Sequence, residues 1–395
     1  MVLYIFIAVI TTLLACRVET AKNEEYDYIP LNLGGTGSHN LRILMGYTTR
    51  RRALSALCLV SVFVILTALA ALRLEVGNDY GTYVVTCHEI FQRGYVVTEP
   101  GYNLVVRILY TLSGKEDYLL MFGVFGAAIV AVFLKVIRDQ SDSFALGFFV
   151  FMFLGFYYRS FNTVRYYFAL AIATFALRYV VKPTVQGMIK FFVIILFAAA
   201  FHKSVLIVIP MYFIARIPWK KWVLIPLVIV GGGIALLRGQ IMDIAVKLYP
   251  SYKNTVYLEE VHTITENAAP ILGCLFVLGL CIYCYREAIA DRADNRMYFN
   301  MNIMALVMYV SCYFIPFVTR LVYYLTTAHI LLLPSLVCSV KDKKKKKIVL
   351  ALVIIYCILY FLYFLRDADK VGVRVLPYKS WLFYDHRWLN QTDTF

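Results

Sequence analysis

Apolar blocks recur along almost the whole sequence and are separated by short charged stretches, which leaves few folds open to the chain. The blocks lie at 2–16, 53–72, 119–137, 144–158, 166–181, 191–201, 204–217, 222–237, 270–285, 297–315, 321–340 and 348–365. A helix crossing a bilayer needs roughly 20 predominantly apolar residues, and interfacial aromatic residues extend the shorter blocks. Composition agrees, with 61% hydrophobic residues, 16% charged and a mean hydropathy of +0.71, where a soluble domain carries about 25% charge. A soluble enzyme, a disordered chain and a fibre are excluded. The expected fold is all-α: a polytopic transmembrane helix bundle of about 12 membrane helices, some short or paired as hairpins, forming one integral membrane domain over 1–395.

The net charge of +15 reads as topology rather than as nucleic-acid binding. One decision fixes that topology. A single helix over 191–217 would bury His202 and Lys203 in mid-membrane at a cost of several kcal/mol, whereas a hairpin turning at His202-Lys203-Ser204 returns every basic cluster to one side. With the hairpin, 23 of the 39 Lys and Arg residues fall on one side, and the positive-inside rule makes that side the cytoplasm. Both termini are then outside, 17–52 is a cytoplasmic loop, and 73–118, 238–269 and the tail 366–395 face outward. The run Lys341-Asp342-Lys343 to Lys347 is an orientation anchor near anionic lipid. No charge precedes the first apolar block, so 2–16 reads as a retained helix rather than a signal peptide.

Several motifs are set aside. Gly34-Gly35-Thr36-Gly37-Ser38 lacks the strand before it and the Lys-Ser/Thr after it that a phosphate loop requires. Cys281 and Cys284 have the spacing of a metal or redox pair, but lie in an apolar block without a second pair. Eight of the nine cysteines lie in apolar blocks, so no disulfide framework is expected.

Function therefore falls to the outer face, where arginines sit at helix mouths against the positive-inside trend: Arg73, Arg159, Arg165, Arg238 and Arg320. Guanidinium forks match phosphate oxygens in paired hydrogen bonds, so a converging set suits a diphosphate. The same loops carry Asp79 and Glu99, and His202 caps the hairpin. A glycosyl transfer that expels diphosphate needs positive charge on the leaving group and one base for the acceptor hydroxyl. Asp79, Glu99 and His202 all remain candidates for that base. Tyr80 and Tyr83, beside Asp79, are candidates to contact substrate. One base suffices for an inverting course. Neither a cofactor nor a metal is expected, since arginines take the metal's electrostatic part and the outer loops hold no tight ligand cluster.

In order, Arg73…Val76-Gly77-Asn78-Asp79-Tyr80-Gly81-Thr82-Tyr83, Glu99-Pro100-Gly101-Tyr102-Asn103-Leu104, Asn162-Thr163-Val164-Arg165, Phe201-His202-Lys203-Ser204 with Pro210, Arg320…Tyr323-Tyr324…Pro334 and Leu376-Pro377-Tyr378 resemble the EpsG family of membrane proteins. That family is similar to the Wzy-type polymerases of surface polysaccharides. The chain departs from the pattern in a longer polar segment at 18–40 and in Asn78, where a hydroxyl residue is more usual. The resemblance implies a multi-pass glycosyltransferase of the bacterial inner membrane. It would move a growing glycan from undecaprenyl diphosphate onto the next lipid-linked repeat at the outer face. It implies that Arg73, Arg165 and Arg320 hold the diphosphate and that Asp79 or His202 activates the acceptor. The implied partners are the lipid-linked oligosaccharide, the bilayer, and a chain-length regulator and flippase of the same pathway. The rival readings are a ligase with the same donor, a flippase or transporter, an O-acyltransferase, and a structural membrane partner. A transporter would carry charges or broken helices at mid-membrane, and an acyltransferase would need its histidine toward the cytoplasm.

Overall fold

The computed structural model describes residues 1–21, 50–94, 96–219, 221–248, 263–315, 317–370 and 373–383. The glycine-rich segment at 34–38, most of the loop 17–52 and parts of the segments 238–269 and 366–395 lie outside these residues. The protein is all-α. Every apolar block read from the sequence is helical, and among the described residues the only β pairing is an isolated bridge between Arg73 and Ser380.

Among the described residues the α-helices of more than one turn are, in chain order, α1 (Val2–Ala15), α2 (Arg50–Ala71), α3 (Tyr80–Phe91), α4 (Pro100–Ser113), α5 (Tyr118–Gln140), α6 (Phe144–Phe153), α7 (Val164–Val181), α8 (Val185–Ala199) and α9 (Val208–Arg216). They continue as α10 (Lys221–Leu236), α11 (Arg238–Leu248), α12 (Ala268–Tyr283), α13 (Ala293–Ser311), α14 (Val318–Thr326), α15 (His329–Ser339) and α16 (Lys343–Arg366). Six segments are long and apolar enough to cross a bilayer: α2, α5, α7, Ile264–Tyr283, Val318–Ser339 and α16. The shorter apolar helices are α1, α6 and α8. The protein is thus an all-helical, multi-pass membrane protein, with six such spans and these shorter apolar helices among the described residues.

Local chemistry sets several boundaries. The side chains of Asp117, Ser143 and Thr184 accept from backbone N–H groups three residues on, capping α5, α6 and α8. Two blocks read as continuous are divided. The block 144–158 stops at Phe153 before a single turn at Phe156–Arg159, and the block 321–340 breaks between α14 and α15. The segment 73–118, read as a long loop, contains α3 and α4. Pro100 opens α4 at the first helical position, where its missing N–H costs nothing. Cys87, the one cysteine outside the apolar blocks, is buried in α3.

The chain forms two compact units. The first holds residues 1–96, 105–164 and 364–395. In it α2 packs on α5, and α1 on α2 and α6. Its C-terminal strap, 373–381, lies along the residues that follow α2. Leu74 N donates to Lys379 O (3.0 Å), Trp381 N to Leu72 O (2.8 Å) and Gly77 N to Arg374 O (2.8 Å). The hydroxyls of Tyr4 and Tyr378 donate to Val375 O (2.7 Å) and Leu69 O (3.0 Å).

The second unit holds 97–104 and 165–363. Here the decisive hairpin is present: the chain leaves α8 at Ala199, turns at His202 through a short 3-10 helix (Lys203–Ile207), and returns as α9. Phe191 and Phe192 of α8 meet Phe213 of α9, with ring centroids 5.9 and 6.1 Å apart. Contacts placed symmetrically about His202 define an antiparallel pair.

Candidate active site

In the second unit, three sequence-distant segments bring Glu99, Arg165 and His202 together. Glu99 stands just before Pro100, and its position depends on a close backbone approach. Gly101 N donates to Ala200 O (2.8 Å), and a Cβ on Gly101 would lie 2.7 Å from that oxygen. Only glycine fits there. The Glu99 side chain, 12% exposed, accepts from Arg165 Nη1 and from Lys203 N (3.3 Å), and stands 3.5 Å from His202 Nδ1. Burial alone would raise its carboxyl pKa, but the contact with His202 and the charge of Arg165 outweigh burial and hold it at about 2. A carboxylate so acidic and so fully engaged is a poor general base. Its geometry suits it to orienting Arg165 and His202.

The partners of Glu99 are fixed in turn. Arg165, in the first turn of α7, lies over the Tyr102 ring with its guanidinium carbon 5.4 Å from the centroid. His202 packs edge-on to Tyr166, centroids 5.5 Å apart. The Tyr166 hydroxyl donates to the backbone carbonyl of Arg320, which tethers the start of α14 to this cluster. Tyr324, one turn on, meets Ser204 of the hairpin through its hydroxyl (3.1 Å) and accepts from Tyr212 through its carbonyl (3.0 Å). Four of the sequence-read residues (Glu99, Arg165, His202 and Arg320) thus belong to one constellation. Tyr102, Tyr166 and Tyr324, which hold it, were not singled out as contacts.

The first unit holds the remaining candidates. Arg73 is only 2% exposed. Its guanidinium carbon stands 4.5 Å from the Phe122 centroid and 5.0 Å from that of Phe161, and its Nε and Nη2 have no hydrogen-bond partner among the described residues. Burial lowers its pKa to about 10, against the opposing influence of the phenols of Tyr80, Tyr157, Tyr4 and Tyr83. Tyr80 stacks on Phe122 at 4.7 Å, and Tyr83 meets the same ring edge-on at 6.0 Å; both are buried. Their place is around the Arg73 guanidinium.

Asp79 is the N-cap residue of α3, and its backbone N–H donates to Asn162 Oδ1 (3.1 Å). Gly77, in the same turn, has φ +102°, and a Cβ there would meet Phe161 O at 2.4 Å. Arg159 lies over Phe364, 4.8 Å from its centroid. Arg238 begins α11. Among the described residues no group of His, Cys, Asp and Glu is arranged to hold a metal ion.

No curated protein and no solved structure matches the chain. The sequence profile of the EpsG family does, over residues 56–380, a span that contains both constellations. The chain belongs to the EpsG family, whose members are membrane polysaccharide polymerase-like proteins.

Proposed function

We propose that the protein polymerises a surface or extracellular polysaccharide, transferring the growing glycan from undecaprenyl diphosphate to the next lipid-linked repeat at the outer face of the bacterial inner membrane. The observation that carries this reading is the Glu99–Arg165–His202 constellation, which pairs a fixed guanidinium with an oriented imidazole. A carboxylate beside Nδ1 favours the tautomer that keeps its proton there, leaving the Nε2 lone pair to accept one. In the reaction the acceptor hydroxyl oxygen bonds to the anomeric carbon, its proton passes to His202 Nε2, and the carbon–oxygen bond to the diphosphate breaks with its electron pair. Arg165 and Arg320 neutralise the departing charge, each charge-assisted bond contributing about 1.5–3 kcal/mol. One base and no protein nucleophile correspond to inversion. Of the three candidate bases, Glu99 becomes a positioning residue in this scheme. In the first unit, Asp79 shapes the turn that carries Arg73, whose Nε and Nη2 have no hydrogen-bond partner among the described residues.

The test is deletion of the gene, followed by separation of the surface and lipid-linked glycans. A lost ladder with single repeats accumulating on the outer face is expected. An unchanged ladder overturns the proposal, full-length polymer left on its carrier identifies a ligase, and repeats trapped inside identify transport. Arg165→Ala and Arg320→Ala should each abolish polymer while the protein stays in the membrane.

A further inference from the structure

At one end of the second unit, four helix ends enclose a cavity of about 550 Å³. Val181 closes α7, Arg216 closes α9, Tyr285 follows α12 and Ala293 opens α13, so the connections after α7, α9 and α12 emerge at the same end. These are three of the basic connections that the positive-inside rule assigns to the cytoplasm.

The lining joins two arginines to an apolar wall. Arg216 makes no hydrogen bond or ion pair among the described residues. Arg296 donates from Nη1 to Ala290 O and has no other partner among them. Among the described residues no acidic side chain lines the space. The backbone groups nearby are already satisfied: Asn300 Nδ2 donates to Ala215 O (2.8 Å) and Ile217 O (3.1 Å), and Trp219 Nε1 donates to Ile214 O (2.9 Å). The guanidinium groups are therefore not occupied in capping α9. At the rim, Ile217 and Tyr285 are 51% and 44% exposed. Exposed apolar side chains beside arginines and a tryptophan mark the boundary between headgroups and acyl chains.

We propose that this cavity binds the phosphate headgroup of an anionic phospholipid from the leaflet on that side. The two guanidinium forks would take the phosphate oxygens and the Phe213 and Ile303 side the start of the acyl chains. The volume lies within the range of small-molecule sites, about 300–1,000 Å³. Such a lipid would staple α7, α9 and α13 together. The site is independent of the catalytic assignment.

The test uses the full-length protein purified in neutral detergent, with native mass spectrometry during titration by phosphatidylglycerol, phosphatidylcholine or glycerol 3-phosphate. Phosphatidylglycerol should bind at least about tenfold more tightly than phosphatidylcholine, about 1.4 kcal/mol. That preference should vanish in the Arg216→Gln/Arg296→Gln double variant. Ile303→Trp keeps both charges and fills the cavity, so it should weaken phosphatidylglycerol binding as well, even if the double variant does not fold. An undiminished preference in the folded variants overturns the proposal. Glycerol 3-phosphate binding as tightly as the lipid would also overturn it, since the occupant would then be a soluble phosphate.

Discussion

Glu99 is the residue on which the second unit's constellation turns, because it touches both the cation and the imidazole. Glu99→Gln keeps the shape and removes the charge. Activity in a reconstituted polymerisation assay should fall by about 10² or more, the range of positioned acid–base chemistry. Arg165→Lys keeps the charge but not the planar fork, and should lose less than Arg165→Ala while recovering little of the wild-type rate. Protonation supplies a second check. The folded-state carboxyl pKa, about 2, lies below the ordinary 4.5. Its stabilisation is therefore complete above about pH 4.5 and is lost as the pH falls through 2. Thermal melts in detergent should accordingly show a steeper acid decline for the wild type than for Glu99→Gln. The sequence named all three members of this cluster but not their contact. Glu99 lies 66 residues from Arg165 and 104 from Lys203, and no local pattern encodes pairing over such distances.

At the scale of elements, two tight turns hold the two constellations. Gly101 lets α4 start against the end of α8, and Gly77 lets the turn after Arg73 run under Phe161 O. Gly101→Ala should displace Glu99 and lower activity while leaving the protein in the membrane. Gly77→Ala adds both a steric conflict and a left-handed backbone for a residue with Cβ, and such strain costs about 1–3 kcal/mol. Its melting temperature should fall more than that of Tyr378→Phe, which loses one hydrogen bond to Leu69 O, about 1 kcal/mol. Hydropathy makes the apolar helices readable, and the cost of burying His202 and Lys203 in mid-membrane dictates the hairpin. It hid α3 and α4, whose buried residues alternate with polar ones at helical spacing rather than forming a block. The strap 373–381 was legible only as the motif Leu376-Pro377-Tyr378, because most of the bonds that hold it to the residues after α2 run through backbone groups that carry no sequence signature.

For the molecule as a whole, sidedness is the property that the sequence argues most strongly. The cavity between helix ends agrees with one part of it, since it gathers the connections after α7, α9 and α12. Reporter fusions after Lys182, Arg216 and Arg292 should therefore all report the same compartment, the cytoplasm, and a fusion after Ser113 should report the opposite one. A split among the first three would break the topology. The first unit is discontinuous in sequence, and its last part is the strap that bonds Tyr4, Leu69, Leu72, Leu74 and Gly77. During synthesis this piece leaves the ribosome after the helices α1 to α16. The turn bearing Arg73 thus gains its backbone partners only when translation has passed residue 381, and a nascent or prematurely stopped chain should be inserted yet inert toward lipid-linked sugar.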